Sequence, residues 1–280
     1  MAHSDGDMHC RLRKTSNLSF GKKGLEMLTP VIEKAVDDII AGLPKKGQCD
    51  FAIDFSEPLS TRVIADIFDV PFSDRVHFQT CSDDVSRFFG NSVGDKEQCA
   101  IIANNAIKEL ESYFVRYLKE RKKSPGNDLL SLLIQANTEG FLSEEEVIAQ
   151  CVLIMMAGHY TVIDQLCNSF VMFDELNLWS SLSRDQTLIP KALEESMRLD
   201  GAVLFMARTA ACDMDMKGKK IKKDDTVFLS IGAAGRDPQV FEEPNVFNIN
   251  REKNRHLGFA AGPHQCIGMG CNGQVKLERF

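Results

Sequence analysis

The sequence predicts a mainly α-helical chain with a minor β part. Two observations carry the prediction. The first part of the chain repeats an apolar stripe at three- and four-residue spacing, interrupted by charged turns. From residue 202 the texture changes to short apolar runs around a Lys/Gly turn. No repeat, low-complexity tract or linker appears, so residues 1–280 are expected to form one domain.

Residues 24–41 place Leu25, Leu28, Ile32, Ala35, Val36 and Ile39 on one helical stripe. Residues 58–70, PLSTRVIADIFDV, open on Pro58 and stop before Pro71. Residues 97–122 repeat the stripe with Ile102, Ala106, Leu110, Phe114 and Leu118, and KERKKSPGND then forms a charged turn into a short helix, LLSLLIQAN. Ser143, with Glu146 three residues on, is a capping box. The helix it opens has no breaker from 144 to 157 and is expected to run to about 175. It is apolar almost all round from 147 to 157, which predicts a central, buried helix. Residues 202–230 read as a small hairpin-like sheet turning at Lys217–Lys220. Pro238 and Pro244 then mark a meandering coil that leads into a glycine-rich loop, GFAAGPHQCIGMG, residues 258–270.

Composition narrows the function classes. The formal charge of −7 favours neither nucleic acid nor an anionic membrane as a partner. Nine cysteines, an odd count without a CxxC pair, suit free thiols in a reducing compartment. No signal segment opens the chain, and the longest apolar block, CVLIMMAG at 151–158, is too short to cross a bilayer. The expectation is a soluble cytoplasmic protein without a membrane span.

The sharpest local question is Cys266, set among Gly, Ala and Pro two residues after His264. Free cysteine is often an inert buried hydrophobe. A zinc site would need about four ligands, and His264, Cys266 and Cys271 lack a second pair. A catalytic thiol would need a base, and in an extended segment His264 shares its face. A fourth reading fits better: an axial thiolate on haem iron, where small residues let the loop approach the porphyrin and backbone N–H groups face the sulfur.

Phe259-Ala-Ala-Gly-Pro-His-Gln-Cys-Ile-Gly268 resembles the cysteine-loop motif of the cytochrome P450 family, Phe-Gly-x-Gly-x-His-x-Cys-x-Gly, with Ala260 where the family usually has Gly. Further resemblances follow in the family's order. Ala157-Gly158-His159-Tyr160-Thr161 is similar to the oxygen-binding helix. Glu195-Ser-Met-Arg198 resembles the ExxR motif, and Arg208 follows in FMARTA. Residues 235–247 resemble the meander, and His9-Cys-Arg-Leu-Arg13 the early His-x-x-x-Arg. The resemblance implies a haem-thiolate monooxygenase of the soluble bacterial type. Cys266 would ligate the iron of haem b, and Phe259 and Gly268 would shape its loop. His9, Arg13, Arg208 and His264 would hold propionates. Thr161, Ala157 and Gly158 would form the oxygen-side notch, and Glu195 and Arg198 would be structural. It also implies O2, a small apolar organic substrate and an electron donor that is a ferredoxin or a flavoprotein. A non-catalytic haem-binding remnant and a peroxide-driven peroxygenase are the alternatives.

Several positions depart from the pattern. Tyr160 stands where the family has an acid, with Asp164 one turn on. Val246 stands where many members carry an Arg, so Arg251 or Arg236 would replace it, or Glu195 and Arg198 would pair alone. Gly273 falls in the helix expected after the cysteine loop. The resemblance begins at the family's early haem-contact helix and ends at LERF, so a domain incomplete at both ends is expected.

Overall fold

The computed structural model describes residues 1–45, 47–89, 95–126 and 128–269. Cys271, Gly273 and the LERF segment lie outside the described residues. The chain forms two compact units, Met1–Ile163 with the segment that starts at Cys266, and Asp164–Gln265.

The first unit is helical. Its elements are α1 (Gly6–Phe20), α2 (Lys22–Gly42), α3 (Glu57–Ile67), α4 (Arg75–Phe89), α5 (Lys96–Lys123), α6 (Leu129–Thr138), α7 (Glu144–Ala157) and the first turn of α8 (Tyr160–Glu175). Side-chain caps fix several of the starts. Asp95 accepts from Glu97 N–H, and Asp128 from Ser131 N–H. Ser143 and Glu146 form the reciprocal capping box, at 3.2 and 2.9 Å. The stripe predicted on α5 is the buried one: Ala106, Leu110, Phe114 and Leu118. Phe114 meets Phe68 and Phe78 with ring centroids 5.4 and 5.8 Å apart. Around them lie Leu130, Leu133, Val147 and Cys151, all buried. The sequence pattern missed α4, a π-helical turn at Phe51–Ser56 capped by Asp50, and a 3-10 turn at Phe72–Asp74.

The long helix expected from 144 to about 175 is interrupted. α7 ends at Ala157, Gly158 caps it, and α8 starts at Tyr160. Together, Glu144–Glu175 is long and apolar enough by length and composition to cross a membrane, although 44% of its apolar window is buried inside the protein. A core helix of a soluble protein passes the same test, and α7 is a core helix, with Val147, Cys151, Ile154 and Met155 buried.

The second unit carries the rest of α8, then α9 (Trp179–Arg184), α10 (Ile189–Leu199), four short strands and a one-turn helix, α11 (Ile231–Ala234). The hairpin-like sheet is in fact two ladders. β1 (Phe205–Thr209) pairs antiparallel with β4 (Thr226–Ser230), and β2 (Met214–Met216) with β3 (Lys219–Ile221). Lys217 and Gly218 make the inner turn with φ of 52° and 80°, the double positive φ that a tight hairpin turn needs. From Asp237 to Gly258 the chain runs without helix or strand, as the prolines predict.

Candidate functional site

In the second unit, α10 buries Glu195 and Arg198 at 1% and 2% exposure. One turn apart, they share a helix face, and the guanidinium donates to both carboxylate oxygens at 2.7 and 2.8 Å. Arg198 also donates to the carbonyls of Gly235, Pro244 and Val246 at 2.6–3.1 Å. Glu195 accepts from Asn248 N–H at 2.9 Å, from Asn254 at 3.1 Å and from Arg251 Nε at 3.2 Å. Arg251 is therefore the third member of the network, and it also donates to the Glu242 carbonyl. Arg236 goes elsewhere, to the Leu199 carbonyl and to Asn245. Val246 contributes only its carbonyl. The Phe241 ring lies 5.1 and 5.6 Å from the two guanidinium carbons. Burial alone would raise the Glu195 pKa, but the bonds to Arg198, Asn248 N–H and Arg251 hold it below its ordinary value. This network ties α10 to the meander that precedes the cysteine loop.

Further along the same unit, Gly258 is close to Met197 of α10: a Cβ there would lie 2.6 Å from the Met197 Cγ. Phe259 is half-buried, its ring 6.1 Å from His256, which bonds Glu194 at 2.8 Å. Ala260 and Gly262 adopt φ of 55° and 76°. His264 ends a short 3-10 turn, Gly262–His264. Arg208 is exposed on β1 and donates to the Ala207 carbonyl at 2.8 Å.

In the first unit the α7–α8 break has a specific construction. Thr161 Oγ1 donates to the Ala157 carbonyl one turn back at 2.7 Å. The next two carbonyls, Gly158 and His159, both accept from Ser60 Oγ on α3 at 3.1 and 2.9 Å. Tyr160 donates to Asp83 on α4 at 2.5 Å, and burial with that carboxylate pushes its pKa up to about 12. His159 is buried beside them and its pKa is lowered by burial, with Asp83 opposing. Asp164 is exposed. Ser60 and Asp83 carry no motif, so spacing could not single them out.

Cys266 is an exposed free thiol. Crowding by protein atoms holds its pKa above the ordinary thiol value, and the Gly268 N–H, the Arg13 guanidinium and the Met269 N–H offset only part of that rise. Arg13 lies on α1 one turn from His9, which is buried. The structure thus brings Arg13 into the electrostatic range of Cys266. A Cβ on Gly268 would lie 3.8 Å from Sγ.

The family model for cytochrome P450 matches residues 182–271. CYP109E1 from Bacillus megaterium, solved in complex with testosterone, superposes with a TM-score of 0.89 at 30% identity, covering 98% of this chain and 72% of that one. This chain belongs to the cytochrome P450 family. The P450 CxnD, an enzyme for C–S bond formation in chuangxinmycin biosynthesis, superposes with a TM-score of 0.88 at 33% identity, covering 99% and 67%. The polyketide biosynthesis cytochrome P450 PksS of Bacillus subtilis is 32% identical over 271 residues, which is 96% of this P450 chain and 65% of PksS. The chain thus spans just under two thirds of that relative's length.

Proposed function

We propose that this P450 chain is a haem-thiolate monooxygenase that inserts one oxygen atom of O2 into a small apolar organic substrate, with electrons from a ferredoxin or a flavoprotein. The setting of Cys266 carries the reading. The sulfur is exposed on a small-residue loop, and two backbone N–H groups and a guanidinium offset part of the crowding that disfavours its anion, so a metal cation at the sulfur would complete the stabilisation of the thiolate. That setting fits haem b at Cys266, which would hold the iron, and the family resemblance gives His9, Arg13, Arg208 and His264 the task of holding the propionates. Phe259 and Gly268 would keep the loop's shape. When bound, haem supplies the activation of O2, and the protein supplies binding and electrostatics.

The chain's own residues have narrower tasks. Thr161 directs its hydroxyl proton to the Ala157 carbonyl, and with Ala157 and Gly158 it would define the notch. Tyr160 directs its phenolic proton to Asp83, so a hydroxyl–carboxylate pair stands at the family's usual acid position. Glu195, Arg198 and Arg251 hold the meander rather than the substrate. The substrate class is supported by the testosterone complex of CYP109E1. The eight described cysteines, all free thiols, support a reducing, cytoplasmic setting. The reading takes residues 1–280 as belonging to one cytochrome P450-like domain.

The test is turnover of the haem-loaded full chain with a ferredoxin, its reductase and NADPH on a panel of apolar substrates under isotopically labelled O2. One labelled oxygen per product molecule is the expected result. Product formed only with added peroxide would favour the peroxygenase reading instead.

A further inference from the structure

Outside the residues assigned to the haem site, α4 and α5 bring together His77, Cys81 and Glu109. His77 and Cys81 lie four residues apart on one face of α4, and Glu109 faces them from α5. Phe78 packs edge-on against Tyr113 at 4.5 Å and fixes the two helices side by side. The three donor atoms form a nearly equilateral triangle. Cys81 Sγ is 3.8 Å from His77 Nε2 and 3.9 Å from Glu109 Oε2, and His77 Nε2 is 3.9 Å from the same oxygen. An ion equidistant from the corners would sit about 2.2 Å from each, close to the usual zinc distances to sulfur, imidazole nitrogen and carboxylate oxygen.

We propose that His77, Cys81 and Glu109 form a zinc site, with the fourth position open to water. Soft sulfur, imidazole and a single carboxylate suit zinc rather than calcium or magnesium, which take oxygen ligands. One thiolate and one carboxylate balance the charge of a divalent ion. The ion would displace the thiol proton, which the free site holds toward Glu109. Cys81 is buried, while His77 and Glu109 are exposed beside a surface cleft of about 410 Å³ that Asp74, Lys108 and Arg116 also line. That cleft gives an entry path. Bound zinc would pin α4 to α5.

The test uses the 280-residue chain as purified, freed of loose metal by a chelator. Zinc is titrated against a chromophoric competitor, and cobalt is followed by difference spectrum. The expected result is one equivalent of zinc, a sulfur-to-cobalt charge-transfer band, and a melting temperature raised by about 5 °C at a hundredfold excess over Kd. His77→Asn and Glu109→Gln change exposed side chains and should each weaken zinc at least about tenfold while the zinc-free melting temperature stays put. Cys81→Ser should remove the charge-transfer band. Absence of binding, unchanged affinity in His77→Asn or Glu109→Gln, or a charge-transfer band that survives Cys81→Ser overturns the proposal.

Discussion

At the residue scale, the firmest energetic statement concerns Glu195. It is buried, and both its oxygens are bonded to guanidinium groups. Removing one partner of such a pair leaves a buried charge unmet, so Glu195→Gln should cost about 3–5 kcal/mol in denaturant unfolding. The pH dependence has a definite sign. The folded pKa lies below the ordinary 4.5, so the contribution is complete above about pH 4.5 and is lost as pH falls through the folded value. Glu195→Gln should therefore flatten the acid limb of stability against pH. Ala260 offers the opposite case. Its φ of 55° costs a residue with a Cβ about 1 kcal/mol, so Ala260→Gly should stabilise the chain slightly, by up to that amount. Cys266, Glu195 and Arg198 were legible because they sit in short motifs. Arg251 was one of two candidates, and only the fold could choose, because its bond to Glu195 spans 56 residues.

At the scale of elements, stripes and caps were legible and the α7–α8 break was not. Each stripe is a local pattern that survives into the fold, as on α5 and at the Ser143–Glu146 cap. The break depends on Ser60, 98 and 99 residues away, which supplies the donor for two carbonyls. Ser60→Ala should cost about 1–3 kcal/mol, read as a shift of the denaturation midpoint, because it removes the side-chain donor of the Gly158 carbonyl, whereas the His159 carbonyl keeps Ile163 N–H at 3.3 Å. Gly235 holds the start of the meander against α10. A Cβ there would lie 2.2 Å from the Arg198 carbonyl oxygen, which is backbone and cannot swing aside. Gly235→Ala should cost about 1–3 kcal/mol, with the same measurement as its check.

At the scale of the whole molecule, helical periodicity gave the class, and ordered motifs gave the family. Neither could separate the two ladders β1–β4 and β2–β3, since register is set by pairing across the chain. Nor could the motifs show that a tyrosine at position 160 finds a carboxylate on another helix, Asp83. The central claim is that Cys266 holds haem iron as a thiolate, and one spectrum tests it most directly. The full chain is loaded with haem, reduced and exposed to carbon monoxide. A strongly red-shifted Soret band in the wild type that is lost in Cys266→Ser is the predicted result. A band typical of histidine ligation, or a red-shifted band that survives Cys266→Ser, would contradict it.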